Sequence, residues 1–166
     1  MSRLPSIGPR GEGWVAIQAV LLVLAGLAGL PGPAWHGALR FVTSAAGTGL
    51  VAVGLAFAVL GIRELRQAMT PLPYPREDAA LVQSGVYSLV RHPVYTGLVL
   101  GAFGWGLVSA SPAALAAAVI LLAFFELKSR REEAWLAERF PDYAAYRSRT
   151  PRLFPQVSRG RGGSPG

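Results

Sequence analysis

Four apolar runs, at about residues 14–30, 39–62, 94–109 and 112–127, constrain this 166-residue chain more than any other feature. A helix rises about 1.5 Å per residue, so roughly 20 apolar residues cross a hydrocarbon core. The first two runs are about that long and the last two fall slightly short. A soluble domain of this size would need a polar face on each helix, yet hydrophobic residues make up 52% of the chain and charged residues only 15%. The charges gather between the runs, not along them. Most of the 20 glycines lie inside apolar segments, where membrane helices tolerate them better than soluble ones do. The expected fold is an all-α integral membrane protein, a bundle of about four transmembrane helices with a cytoplasmic C-terminal amphipathic helix at about 128–149. Only Ala110 and Ser111 separate the last two runs, which predicts a tight hairpin. Residues 1–157 read as one domain and 158–166 as a disordered tail.

Sixteen Lys and Arg against nine Asp and Glu give a net charge of +7, a balance that suits nucleic acid when the cations form a patch. Here nearly every cation sits just outside an apolar run, where the positive-inside rule and anionic headgroups put it, so a membrane and not nucleic acid is the expected partner. Of the sixteen, only Arg40 falls where the first and second runs are joined, at the very start of the second. Both termini are therefore expected in the cytoplasm, with the chain multi-pass in a membrane such as the bacterial inner membrane. Arg3 and Arg10 ahead of the first run also fit a secretory signal. The run is long for a signal core, Trp14 and Trp35 flank it as interfacial anchors, and no clear cleavage pattern precedes Pro31-Gly32-Pro33, so it reads as a retained span. From Gln67 to Arg91 the chain is polar, broken by Pro71, Pro73 and Pro75 and carrying the acidic pair Glu77 and Asp78, and no span fits there. Without cysteine there is no disulfide or thiolate metal site; a zinc centre would have to rest on His36, His92 and carboxylates, and no metal is expected.

Two polar constellations stand at the edges of these runs. In the first, Gly85 to Gly97, the middle loop turns into the third span and gathers Tyr87, Arg91, His92 and Tyr95. Such groups at a membrane boundary are costly unless they face protein, ligand or water. Pro93 fits the first turn of a helix and drives His92 out of helical geometry, next to a positive helix end that welcomes an anion. Taken alone, Arg91 and His92 also fit ordinary interfacial anchors. The second constellation, Arg130 to Glu133, follows the fourth span, and Glu133 shares a helix face with Glu126 and Arg130. It fits either a cofactor's amino or ribose groups or a solvated ion pair. Between them the third span carries Gly97, Gly101, Gly104 and Gly106, a face for helix packing or for ligand contact, and one that would also allow a homo-oligomer.

The order Gly-x-Tyr-x-x-x-Arg-His-Pro-x-Tyr-x-Gly from Gly85 to Gly97, an apolar hairpin, Arg131-Glu132-Glu133, then Leu136, Phe140, Tyr143, Tyr146 and Pro155, resembles the isoprenylcysteine carboxyl methyltransferase and phospholipid methyltransferase superfamily. The resemblance covers about half the chain, and the front half matches no substrate-specific pattern. It implies a membrane methyltransferase using S-adenosylmethionine at the cytoplasmic face. Carried across, Tyr87, His92, Pro93, Tyr95, Gly97, Gly104, Gly106, Glu132 and Glu133 become cofactor-binding candidates, and Arg91, His92 and Glu133 catalytic candidates. The acceptor is expected to be lipidic or prenylated, a small molecule or a peptide. A nicotinamide-dependent membrane reductase of the sterol-reductase type, and a membrane scaffold or transporter subunit, are the competing readings.

Methyl transfer from a sulfonium is an in-line displacement that needs alignment and exclusion of water more than acid-base machinery. A carboxylate acceptor is already ionised at neutral pH, whereas an amine or phenol acceptor could need His92 or Glu133 as base. The expected division of labour puts Arg91 and His92 on the cofactor's anionic end and Glu133 on its amino or ribose groups.

Overall fold

A computed structural model describes residues 11–30, 32–65 and 81–155. The described residues hold five α-helices and no strand: α1 (Glu12–Leu27), α2 (Gly37–Glu64), α3 (Pro93–Val108), α4 (Pro112–Arg139) and α5 (Tyr143–Arg149), with one 3-10 turn at Gly85–Ser88. The expected signal-like basic stretch, most of the proline-broken middle loop with its acidic pair, and the tail from Ser158 lie outside the described residues.

Two of the helices, α2 and α4, are long and apolar enough to cross a membrane, while α1 and α3 are apolar but 16 residues each. α3 packs between α2 and α4, and α1 packs against α4. The core joins Trp14 and Ala25 of α1, Val99 of α3, and Leu121, Phe124 and Phe125 of α4. The opposite faces stay apolar and open: Val20, Val23 and Leu24 on α1, Leu39, Phe41 and Leu55 on α2, and Val119 and Ile120 on α4 are all exposed. Exposed apolar surface on this scale fits burial in lipid, not water.

The α3–α4 hairpin is as tight as its sequence predicts. Three residues join the helices, and Ala110 adopts a left-handed conformation at φ 51° to make the reversal. Ser111 starts α4: its hydroxyl accepts from the Ala114 amide at 3.2 Å and donates to the Ala28 carbonyl at 2.7 Å, tying the hairpin to the end of α1. At that end of the bundle lies Arg40. The far ends of α2, α3 and α4 meet at the other, where Pro93 and Val94 lie against Gly61, and where the start of α1 reaches α4 through Gln18 and Lys128.

One predicted boundary is corrected. The amphipathic helix expected from residue 128 is not a separate element, because α4 runs unbroken from Pro112 to Arg139. Nothing between Leu127 and Lys128 breaks a helix; only polarity changes there. The break falls at Phe140 and Pro141, after which α5 begins.

Candidate functional site

The site is built on a turn. Gly85 takes φ 55°, a left-handed conformation suited to glycine, directly beside the Glu64 carboxylate, which accepts the Val86 amide at 3.2 Å. The chain then crosses from the end of α2 to the start of α3. Pro93 occupies the first turn of α3 and His92 stands before it in non-helical geometry. The segment after α5 returns to clasp this turn: the amides of Arg91 and His92 donate to the carbonyls of Pro151 and Arg152 at 2.9 and 3.1 Å, and Thr96 Oγ1 donates to the Leu153 carbonyl at 2.5 Å.

That clasp and α4 surround a polar cluster. Arg91 donates through Nε and Nη2 to Glu133 Oε1 at 3.0 and 2.7 Å, and through Nη1 to the carbonyls of Arg147 and Thr150. Arg152 grips the same carboxylate from the other side, Nε to Oε1 and Nη2 to Oε2, both at 2.9 Å, and reaches Glu126 as well. His92 bridges the two acids, with Nε2 3.3 Å from Glu133 Oε1 and Nδ1 3.4 Å from Glu132 Oε2. Tyr95 donates to Glu132 Oε1 at 2.5 Å and its ring stacks on that of His92. The Arg91-His92 turn and the Glu132-Glu133 pair, some 40 residues apart in sequence, thus form one cluster.

The two carboxylates differ in what they have left to offer. Glu133 is 3% exposed, and an ionised carboxylate has about four lone-pair positions. Three guanidinium N–H groups and the imidazole crowd its Oε1 while Arg152 takes Oε2, so its accepting capacity is spent inside the protein. Among the described residues the hydrogen-bonding and ion-pair partners of Glu132 are Tyr95 and His92, and it is the more exposed of the two acids. Burial by itself lowers the pKa of His92, but the hydrogen bonds from the imidazole to Glu132 and Glu133 outweigh it and hold the ring above its ordinary 6.5. In its protonated form the ring between these two carboxylates serves as a donor, not a base.

The remaining sequence candidates fall elsewhere. Tyr87 is buried, its hydroxyl donating to the Gly61 carbonyl at 3.4 Å and its own carbonyl accepting from Tyr146, so it joins α2 to α5 at the rim of the cluster. Pro93 packs on Gly61. Gly97, Gly104 and Gly106 do not join the cluster. A Cβ at Gly104 would lie 2.6 Å from the Gly47 carbonyl oxygen, one at Gly97 would strike Gly54, and one at Gly106 would lie 2.7 Å from Leu115. Of the two uses open to these glycines, helix packing is the one the structure displays. His36 precedes α2 at the opposite end from His92, and the described residues contain no group of three or more potential metal ligands.

Arg152 was not among the sequence candidates, although it supplies half of the grip on Glu133. Its only signal was a single arginine between Pro151 and Pro155, inside the stretch that closes the motif order. Thr96 escaped for the same reason, since its partner is a distant carbonyl.

Residues 42–143, more than half of the chain, match the phospholipid methyltransferase family. The cobalt-zinc-cadmium resistance protein CzcN of Cupriavidus metallidurans is 44% identical over 92 residues, which are 54% of this chain and 42% of that protein. The nickel-cobalt-cadmium resistance protein NccN of Alcaligenes xylosoxydans xylosoxydans is 36% identical over 86 residues, 50% of this chain and 39% of its own. A protein-S-isoprenylcysteine O-methyltransferase of Schizosaccharomyces pombe is 34% identical over 83 residues, 49% of this chain and 35% of the enzyme. The chain spans less than half the length of these curated relatives.

Proposed function

The chain belongs to the phospholipid methyltransferase family, and from that premise we propose that it transfers a methyl group from S-adenosylmethionine to a hydrophobic or lipid-linked acceptor at the cytoplasmic membrane face. The observation that carries this reading is the joining of the Arg91-His92 turn to the Glu132-Glu133 pair by direct hydrogen bonds, within a family match that includes both segments. In this reading the four apolar helices span the bilayer with both termini in the cytoplasm. The cation distribution supports that orientation, since Arg63, Arg91, Arg130 and Arg152 stand at one end of the bundle and Arg40 at the other.

The chemistry of the cluster suits this cofactor. Glu132, with oxygen capacity to spare, can accept from an ammonium or from ribose hydroxyls, and the His92 imidazolium can donate to a carboxylate. When bound, S-adenosylmethionine supplies an electrophilic methyl group on a sulfonium. Glu133 and Arg91 act one step back as positioning residues: with Arg152 they fix His92 and close the cluster to water. Tyr95 orients Glu132 and gives the site an aromatic wall. With Glu133 saturated and both carboxylates favouring the protonated form of His92, the cluster is poorly suited to act as a general base, so an acceptor that is already ionised suits it best.

Calorimetric titration of the detergent-purified chain with S-adenosylhomocysteine, beside NADPH as control, tests this function. Binding of the first supports the transferase. Binding of NADPH alone would favour a reductase, and binding of neither a scaffold.

A further inference from the structure

The cations around the polar cluster divide into two groups. Arg91 and Arg152 share Glu133, and Arg130 and Arg152 share Glu126. Lys128 and Arg131, three residues apart on α4, form no ion pair among the described residues. Lys128 is 2% exposed; its Nζ donates to Gln18 Oε1 of α1 at 2.5 Å and lies 5.0 Å from the centre of the Tyr95 ring. Arg131 lies over Trp135, and its buried Nε has no hydrogen-bond partner among the described residues. Trp14, one turn before Gln18, packs on Phe124 and likewise keeps a buried Nε1 without a partner there.

An ammonium withdrawn from water, hydrogen-bonded to a neutral amide with a ring face beside it and the Glu132 carboxylate acting on it only through space, is expensive to keep, and an ionisable group at membrane depth marks a candidate functional site. Neither cation is used by the methyl-transfer cluster, yet the Tyr95 ring that meets Lys128 also stacks on His92, so the two places adjoin across one side chain. Beyond Gln18, α1 presents Val20, Val23 and Leu24 outward, a surface along which an acyl or prenyl tail can lie.

We propose that Lys128 and Arg131 form a subsite for the anionic head group, carboxylate or phosphate, of a membrane amphiphile, with Gln18 Oε1 marking the position that one of the anion's oxygens takes. The proposal rests on the methyltransferase reading and adds the acceptor's charge to it. A neutral or purely cationic head finds no complement there, which separates this subsite from the cofactor's.

The test is titration of the detergent-purified full chain with oleate, with dioleoyl phosphatidic acid and with methyl oleate, each run beside S-adenosylhomocysteine. Oleate, the phosphatidic acid or both are expected to bind, the pattern telling carboxylate from phosphate, while methyl oleate binds at least tenfold more weakly. Lys128→Met should weaken the anionic probe roughly tenfold or more, and Arg131→Gln by less, with S-adenosylhomocysteine affinity unchanged. Because Lys128→Met could disturb α1, Gln18→Ala serves as a second variant, expected to hold or tighten anion binding. Failure of both anionic probes to bind, equal binding of methyl oleate, an undiminished Lys128→Met affinity, or a tenfold loss in Gln18→Ala would overturn the subsite. Anion binding without S-adenosylhomocysteine binding would leave the subsite standing and remove the methyltransferase reading.

Discussion

The α2–α3 contact and the polar end of the bundle are assembled from opposite materials. Along α2 and α3 the backbones meet at glycines: Gly47 faces Gly104, Gly54 faces Gly97, and Gly61 faces Pro93, with no charge between them. A few residues further, at the start of α3, two arginines, a histidine and two glutamates hold one another, and helices, turn and returning segment all depend on them. The first region gains from closeness of many small contacts and has no directional demand. The second is directional throughout, so its loss should be abrupt and confined to a few residues. Membrane helices can be gathered by the first kind of contact, but only the second kind offers groups that a polar cofactor can read.

The largest expected effect comes from breaking the polar region at its centre. Glu133→Ala leaves Arg91 and Arg152 buried without their shared carboxylate, and loss of one partner from a buried ion pair costs about 3–5 kcal/mol. Thermal unfolding in detergent should show a fall large enough to compromise the fold, and a melting temperature within a degree or two of the parent would show that the network adds nothing. The glycine contact should yield more gently. Gly54→Leu puts a side chain where even a Cβ lies 2.6 Å from the Gly97 carbonyl oxygen, and overpacking of this kind costs about 1–3 kcal/mol. Gly26→Ala, at a position with nothing within 4 Å, is the matched control and should be nearly silent. Equal melting temperatures for the two glycine variants would contradict the close approach of α2 and α3.

A smaller effect follows from pH. The folded pKa of His92 is raised, so its contribution to stability is fully present below about pH 6.5 and is lost as the pH rises through the higher folded value. The melting temperature should therefore decline on the alkaline side in the parent and decline less in His92→Gln. Parallel curves for the two proteins would mean that the imidazolium does not bridge the acids.

These two regions were unequally legible in the sequence. The apolar runs placed α1 to α3 and the start of α4 to within a few residues, because long unbroken hydrophobic segments leave few alternatives. The end of α4 was misjudged because a change from apolar to charged residues at Lys128 does not stop a helix, whereas Pro141 does. The motif order brought Arg91, His92, Glu132 and Glu133 forward together, but it could not distribute their roles. Which acid is saturated depends on Arg152, and Arg152 reaches Glu133 only because the segment after α5 folds back through main-chain bonds to residues 91 and 92. Spacing along the chain carries no trace of that return. Gly97 and Gly104 of α3 were ambiguous for a similar reason, since Gly54 and Gly47, which face them on α2, lie more than 40 positions away.

The most direct measurement is a double-mutant cycle on S-adenosylhomocysteine affinity, with His92→Gln, Glu132→Gln and the pair titrated by calorimetry beside the parent. If the turn before α3 and the acids of α4 receive one nucleoside together, each single change should weaken binding about tenfold, and the double change should depart from the sum by about 1 kcal/mol or more. Strictly additive losses, or affinities indifferent to both residues, would mean that these neighbouring side chains do not make a common cofactor site.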